Sequence, residues 1–164
     1  MLEIVDATTG DIPTIKDLAE RTWRVTYSEL LSKEQLSYML NAIYSEESLK
    51  KVMDDSSQQF ILLREDGATL GFAAYGPRPE DASIFKLHKL YLLPETQGRG
   101  LGKKLIDEVK KRTVTSGRRI LDLNVKRDNP AKSFYEKCGF TVVREEDIPF
   151  GPYTLEDYIM RIEL

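Results

Sequence analysis

The stretch LYLLPETQGRGLGKKL, residues 90–105, decides how this chain is read. An apolar run with the look of a strand stops at Pro94, glycines stand at 98, 100 and 102, and Lys103 and Lys104 follow. A strand thus passes to a helix through a loop whose glycines allow a tight bend and bring bare backbone close to a ligand. Such a loop aims several N–H groups outward, and a helix starting near Leu101 adds the positive end of its dipole, about 0.3–1 kcal/mol per charge. Arg99, Lys103 and Lys104 add full positive charges beside it. The guest that fits is a pyrophosphate. Two other phosphate readers fail. A P-loop needs Gly-Lys followed by Ser or Thr, and Lys104 stands there; a dinucleotide fingerprint needs GxGxxG, and these glycines fall at every second position after antiparallel strands. The plain structural alternative is a helix entry whose glycines serve the turn alone.

On either side of this junction the hydrophobic period changes twice. Residues 2 to 6 read as a short strand. Gly10, Asp11 and Pro13 then open a helix to about Tyr27, with Ile12, Ile15, Leu18, Ala19 and Thr22 on one side. Ser32 caps a second helix carrying Leu36, Met39 and Leu40, and Ser45 a third carrying Leu49, Val52 and Met53. QFILLRE, the turn at Asp66 and Gly67, TLGFAAYG and SIFKLHKLYLL read as consecutive antiparallel strands. Leu101, Leu105 and Val109 mark a helix ending near Gly117, ILDLNV is a strand, and residues 130 to 138 form a short helix. TVVREEDI and TLEDYIMRIEL close the chain as two strands around Gly151 and Pro152. The class is α+β with one mixed sheet.

The 164 residues, 41% of them apolar, suit a single domain spanning 1–164. A net charge of −3 leaves no footprint for nucleic acid and suits a small cationic partner. Cys138, the only cysteine, cannot form an internal disulfide, and no long apolar span or targeting segment is visible, so a cytoplasmic protein without a membrane partner is expected. One histidine and one cysteine do not make a metal site, and no metal is expected. Cys138 itself reads as a small buried apolar residue.

KLYLLPETQGRGLGKKLIDEV and, some way on, DNPAKSFYEKCGF resemble the two signature segments of the GCN5-related N-acetyltransferase (GNAT) superfamily. The resemblance implies a mostly antiparallel twisted sheet of about seven strands flanked by helices. In it a splayed pair of central strands forms a cleft for acetyl-CoA. It implies that the backbone of Leu90, Tyr91 and Leu92 pairs with the pantetheine arm, and that Gln97, Gly98, Arg99, Gly100, Leu101, Gly102 and Lys103 form the pyrophosphate loop. Tyr135 falls on the family's tyrosine and Lys137 on a lysine that meets the phosphate end. The family's usual asparagine is Asp128 here with Asn129 beside it, so the cofactor contact is open between the two; an ionised aspartate cannot donate. WRVTYSELLSKEQLSYMLNAIYSEESL and GPYTLEDYIM resemble, more narrowly, bacterial spermidine and spermine acetyltransferases of the PaiA type. Similar enzymes are often homodimers.

The implied chemistry is direct attack of an amine on a thioester. An amine of pKa about 10.4 is neutral in only about one molecule in 2,500 at pH 7, a penalty of about 4.6 kcal/mol, so a base or a desolvating site is needed. His88 on the strand entering the loop is the candidate base, expected to titrate near neutrality; the alternative is a sheet histidine bonded to a neighbour. Tyr135 is the candidate acid for the departing thiolate, with a core tyrosine as the alternative, and backbone N–H groups near Leu92 would meet the oxyanion. On the acceptor side, Trp23, Tyr27, Glu29, Tyr75, Glu80, Asp81 and Tyr153 supply aromatic rings and carboxylates that suit a polyamine. Packing explains Trp23 and Tyr27 equally, and a solvated face Glu80 and Asp81. Protein or aminoglycoside acetylation, and a noncatalytic acyl-CoA sensor, are the other functions compatible with these residues.

Overall fold

In the computed structural model, which describes Met1–Leu164, the apolar side of the first helical pattern becomes the buried side of α1 (Ile12–Tyr27). Ile12, Ile15, Leu18, Ala19, Thr22 and Trp23 are buried there, and the Thr22 hydroxyl is satisfied inside by donating to the Leu18 carbonyl at 2.8 Å. Ser32 accepts from the Gln35 amide to start α2 (Lys33–Tyr44), and Ser45 from the Ser48 amide to start α3 (Glu46–Asp54), both at 3.1 Å. Strands β1 (Leu2–Asp6), β2 (Gln59–Glu65), β3 (Ala68–Arg78) and β4 (Asp81–Leu92) form an antiparallel meander on β1's partner β2. The β2–β3 turn has both Asp66 and Gly67 at positive φ, 52° and 85°, the turn whose twist matches its strands.

Helix α4 (Leu101–Thr115) leads to β5 (Ile120–Lys126), followed by α5 (Ala131–Lys137), β6 (Thr141–Phe150) and β7 (Tyr153–Glu163). The single sheet has the order β1-β2-β3-β4-β5-β7-β6, antiparallel everywhere except between β4 and β5. Helices α1, α2 and α3 pack on one face with Phe60, Leu62, Phe72 and Ala74. α4 packs on the other with Ile61, Leu63, Ala73, Leu121 and Leu123, and Phe134, Tyr135 and Cys138 of α5 join it there. The α+β class and the mixed, mostly antiparallel seven-stranded sheet are as expected from the sequence.

Where β4 still pairs with β5, the sheet carries a buried ionic cluster. Asp122 of β5, with no exposed surface, accepts from Arg78 Nε at 2.7 Å and from Arg161 Nε and Nη2 at 2.7 and 3.0 Å. Three strands, β3, β5 and β7, are thereby tied at one carboxylate. Burial alone would raise the Asp122 pKa, but the bonds from Arg161 and Arg78 hold it below the ordinary aspartate value.

Asp122→Asn leaves two guanidinium groups without their carboxylate and is expected to cost about 3–5 kcal/mol in urea unfolding at pH 7; a loss under about 1 kcal/mol would show a cluster screened by water. Because the folded pKa is depressed, the contribution of Asp122 is present above its unfolded value, about pH 4, and disappears as pH falls through the folded value.

Candidate active site

Ala74 pairs with Lys89 but Tyr75 pairs with Leu87, so His88 is the extra residue of a bulge in β4. The side-chain alternation shifts by one: Phe85 and Leu87 before the bulge, and Leu90 and Leu92 after it, all face α4. The parallel ladder with β5 covers Phe85, Lys86 and Leu87 against Leu121, Asp122 and Leu123 and then stops. Beyond it the edge of β4 bearing Leu90, Tyr91 and Leu92 has no strand partner on the β5 side, which leaves an open gap in mid-sheet.

The loop beyond β4 is built to receive an anion. Gly98 and Gly100 have φ of 84° and 72°, conformations that other residues enter at a cost. Gly100 opens α4 with no side-chain cap and no acidic residue in the first turn, and the first amide there with a helical acceptor is that of Lys104, to the Gly100 carbonyl at 3.3 Å. The preceding amides are free for a ligand. A Cβ on Gly102 would meet Phe134 Cζ at 3.0 Å, so this glycine sets how closely α4 lies to α5. Arg99 turns back to Glu65 in two bonds of 3.1 and 2.6 Å, and Lys103 pairs with Asp107 at 2.7 Å. Gln97 and Lys137 are exposed.

Tyrosines converge at the gap. Asn129, buried, donates through Nδ2 to the Tyr27 hydroxyl at 3.3 Å and accepts the Ala131 amide on Oδ1 at 2.9 Å, joining the end of α1 to the start of α5 through the opening in the sheet. Asp128 points to solvent and pairs with Lys126 at 2.8 Å. The Tyr135 ring packs 5.4 Å from Phe134 and 6.2 Å from Phe140, and burial, with the Tyr27 hydroxyl nearby, pushes its pKa well up. Burial does the same to Tyr27, against hydrogen bonding with Tyr91 and Asn129. Each phenol keeps its proton at any working pH.

On the face of α1 to α3, the wall beyond the gap is polar. It carries Lys86 and His88 of β4, Asn124 of β5 and Asp157 of β7. Asn124 Nδ2 donates to Asp157 Oδ2 at 3.3 Å, while Asn124 Oδ1 and His88 Nε2 are buried without a partner. Burial, then the Lys86 and Lys89 charges, push the His88 imidazole down to about 3, so it is neutral at physiological pH and does not titrate near neutrality as the sequence suggested. Lys89 enters the helical core on the same face, bonded to Gln58 between the rings of Tyr44 and Phe60. The tip of the β6–β7 hairpin leans on α2, with Tyr38 5.5 Å from Tyr153 and 6.1 Å from Phe150. A surface cavity of about 350 Å³, lined among others by Asp6, Gln58 and Arg112, opens where β1 ends and β2 begins.

Residues 27–156 match the family model described as an acetyltransferase (GNAT) domain. The chain belongs to the GNAT acetyltransferase family. It is 30% identical over 160 residues, 94% of this chain and 96% of the relative, to a spermidine N(1)-acetyltransferase of Thermoplasma acidophilum. It is 25% identical over 159 residues, 96% of this chain and 90% of the relative, to the uncharacterised N-acetyltransferase YuaI of Bacillus subtilis. The crystal structure of PaiA N-acetyltransferase from Thermoplasma acidophilum in complex with coenzyme A superposes with a TM-score of 0.84 at 28% identity, over 100% of this chain and 99% of that one. This GNAT chain is thus an N-acetyltransferase, and its free β4 edge and uncapped glycine loop fit coenzyme A as cosubstrate.

The remaining expected residues of this GNAT domain divide by position. Trp23 is buried in the helical core behind the gap, 4.7 Å from the Tyr27 ring and 5.9 Å from that of Tyr91, whereas Tyr75 lies under α4, away from the gap, where its hydroxyl accepts from Arg112 Nη1 at 3.0 Å. Glu29 is exposed after α1, Glu80 is bound by Arg78 at 2.9 Å, and Asp81 accepts from the Ser83 amide and hydroxyl at its turn. Cys138 is half-buried against the α4 core, and its carbonyl accepts from Lys110 at 2.7 Å. Asn124 and Asp157 went unnoticed in the sequence. Their signal was polarity on the inward half of an alternating strand: Asp157 falls between Leu155, packed on the helical core, and buried Ile159.

Gly100→Ala forces a Cβ residue to φ of 72° and is expected to cost about 1 kcal/mol of stability and to lower coenzyme A affinity several-fold in calorimetry; unchanged affinity would remove this backbone from the anion site.

Proposed function

We propose that the enzyme transfers the acetyl group of acetyl-CoA to a primary amine of a polyamine such as spermidine or spermine, by direct attack in a ternary complex. The observation that carries the reading is the gap itself: an unpaired β4 edge leading into uncapped amides on one side and a polar, carboxylate-bearing wall on the other. In this reading Leu90, Tyr91 and Leu92 hold the pantetheine arm as an added strand would, and the amides of 98–103 hold the pyrophosphate. Lys137, exposed and without an ion pair, reaches the phosphate end. Asn129 is the better candidate than Asp128 for a cofactor contact, because it is held at the gap while Asp128 is turned outward.

Acetyl-CoA supplies an activated thioester. Tyr135 supplies a proton to the departing thiolate, a role that needs a phenol still protonated at the working pH, as its surroundings dictate. A polyamine acceptor is supported by the near full-length likeness to the spermidine acetyltransferase and by the aromatic edge of Tyr38, Phe150 and Tyr153. Glu29, exposed after α1, is a carboxylate open to a cationic acceptor. A cytoplasmic location accords with a free thiol and with the absence of any helix long and apolar enough to cross a membrane.

Free-thiol release from acetyl-CoA is to be measured against spermidine, spermine, putrescine, a lysine peptide, an aminoglycoside and no acceptor. Release with spermidine or spermine well above the others is expected. Preference for the peptide or aminoglycoside would replace the acceptor, and silence with acetyl-CoA still bound would favour an acyl-CoA sensor. Tyr135→Phe is expected to lower kcat about 100-fold with coenzyme A affinity unchanged; full turnover would take the phenol out of the reaction.

A further inference from the structure

Amine attack requires a proton acceptor, and the groups around the gap leave one suited to the task. His88 is held neutral and is a weak base in that site, its nearest backbone neighbours being Gly76 and Pro77 on β3. Tyr27, Tyr91 and Tyr135 keep their protons. Asp122 is locked between Arg78 and Arg161. Glu146, opposite Asp157 in the β6–β7 ladder, lies on an exposed strand and faces Arg144 at 3.6 Å. Lys86, Lys126 and Arg127 are cations.

Asp157 differs from all of these. It is 8% exposed, yet has no cation within ion-pair distance, and its only side-chain bond is from Asn124 Nδ2 at 3.3 Å. A buried carboxylate so poorly matched is costly unless something else completes it. On the same amide group Asn124 Oδ1 is buried with no donor. An unpaired carboxylate oxygen and an orphaned amide oxygen on two hydrogen-bonded side chains offer two acceptors and no donor, the complement of an ammonium group.

We propose that Asp157, oriented by Asn124, receives the acceptor's ammonium group and takes its proton. This rests on the acetyltransferase reading of the site, and not on which amine is used. The ammonium donates one N–H to Asp157 and another to Asn124 Oδ1. Its proton passes to the Asp157 carboxylate, and the freed lone pair forms the C–N bond to the acetyl carbon as the C–S bond breaks. The thiolate takes the Tyr135 proton, the second nitrogen proton restores that phenol, and Asp157 later releases its proton to water. Amide, thiol and one proton result, which balances the reaction. Burial, opposed by the Asn124 bond and then by the Lys86, Lys126 and Arg127 charges, raises the Asp157 pKa above the ordinary aspartate value, which makes it a better base.

The test uses the full chain and whichever amine the thiol-release panel finds best. Asp157→Asn is expected to lower kcat at pH 7 a hundredfold or more with KM for acetyl-CoA unchanged. The deficit should shrink about tenfold per pH unit from 7 to 9, as water supplies more free amine. A deficit that is constant with pH and confined to the acceptor KM would make Asp157 a passive counter-ion and overturn the proposal. Should the Asn variant not fold, Asp157→Glu keeps a carboxylate and is expected to retain measurable turnover with a displaced pH profile; an unchanged profile counts against the proposal. If spermidine and spermine are refused but another amine reacts, the polyamine reading fails while this test stands. If no amine reacts, the acetyltransferase reading fails and this proposal falls with it, an outcome distinct from a pH-independent deficit in an active enzyme.

Discussion

One inserted residue governs this molecule. A parallel β4–β5 ladder continued to the end of both strands would seal the sheet, and its amides and carbonyls would satisfy one another. The bulge at His88 stops it after three residue pairs. From that interruption follow the free edge of β4, the phase shift that turns Leu90 and Leu92 toward α4, and the opening through which Tyr27 and Asn129 meet. The site is thus a defect in regular hydrogen bonding held open by well-packed layers on both faces.

Holding it open requires the strands to be fixed just below the break. The Arg78–Asp122–Arg161 cluster sits at that place, since Asp122 pairs with Lys86 immediately before the ladder ends. Apolar side chains there would pack as well but would not bind strands β3, β5 and β7 at a single point. Above the break the polar wall is less satisfied, with orphaned atoms on His88 and Asn124. Below the break the Asp122 carboxylate is fully engaged, and only Arg78 Nη2 of that cluster lacks a partner.

Local signals carried most of the fold into the sequence. Ser32 and Ser45 announced their helices, Asp66 and Gly67 their turn, and the alternation in ILDLNV its strand. The loop at 97–103 was legible because its chemistry is local: three glycines, a strand before and a helix after. What was not legible depends on contacts distant along the chain. The imidazole of His88 looked ready to titrate near neutrality, but its burial and the two flanking lysines appear only once the sheet is folded. Tyr75 resembled an acceptor-side aromatic, yet its place in the β3 alternation puts it under α4. Asp157 meets Asn124 across 33 residues, and no local pattern joins them.

The ion pair between Arg99 and Glu65 bears on how quickly and how often the loop is ready to work. A guanidinium in the middle of a glycine-rich turn would ordinarily sample many positions, and the turn with it. Here it is moored to the end of β2, a rigid part of the meander, by two hydrogen bonds. Such a mooring would lower the ordering cost that the loop meets at each encounter with a ligand.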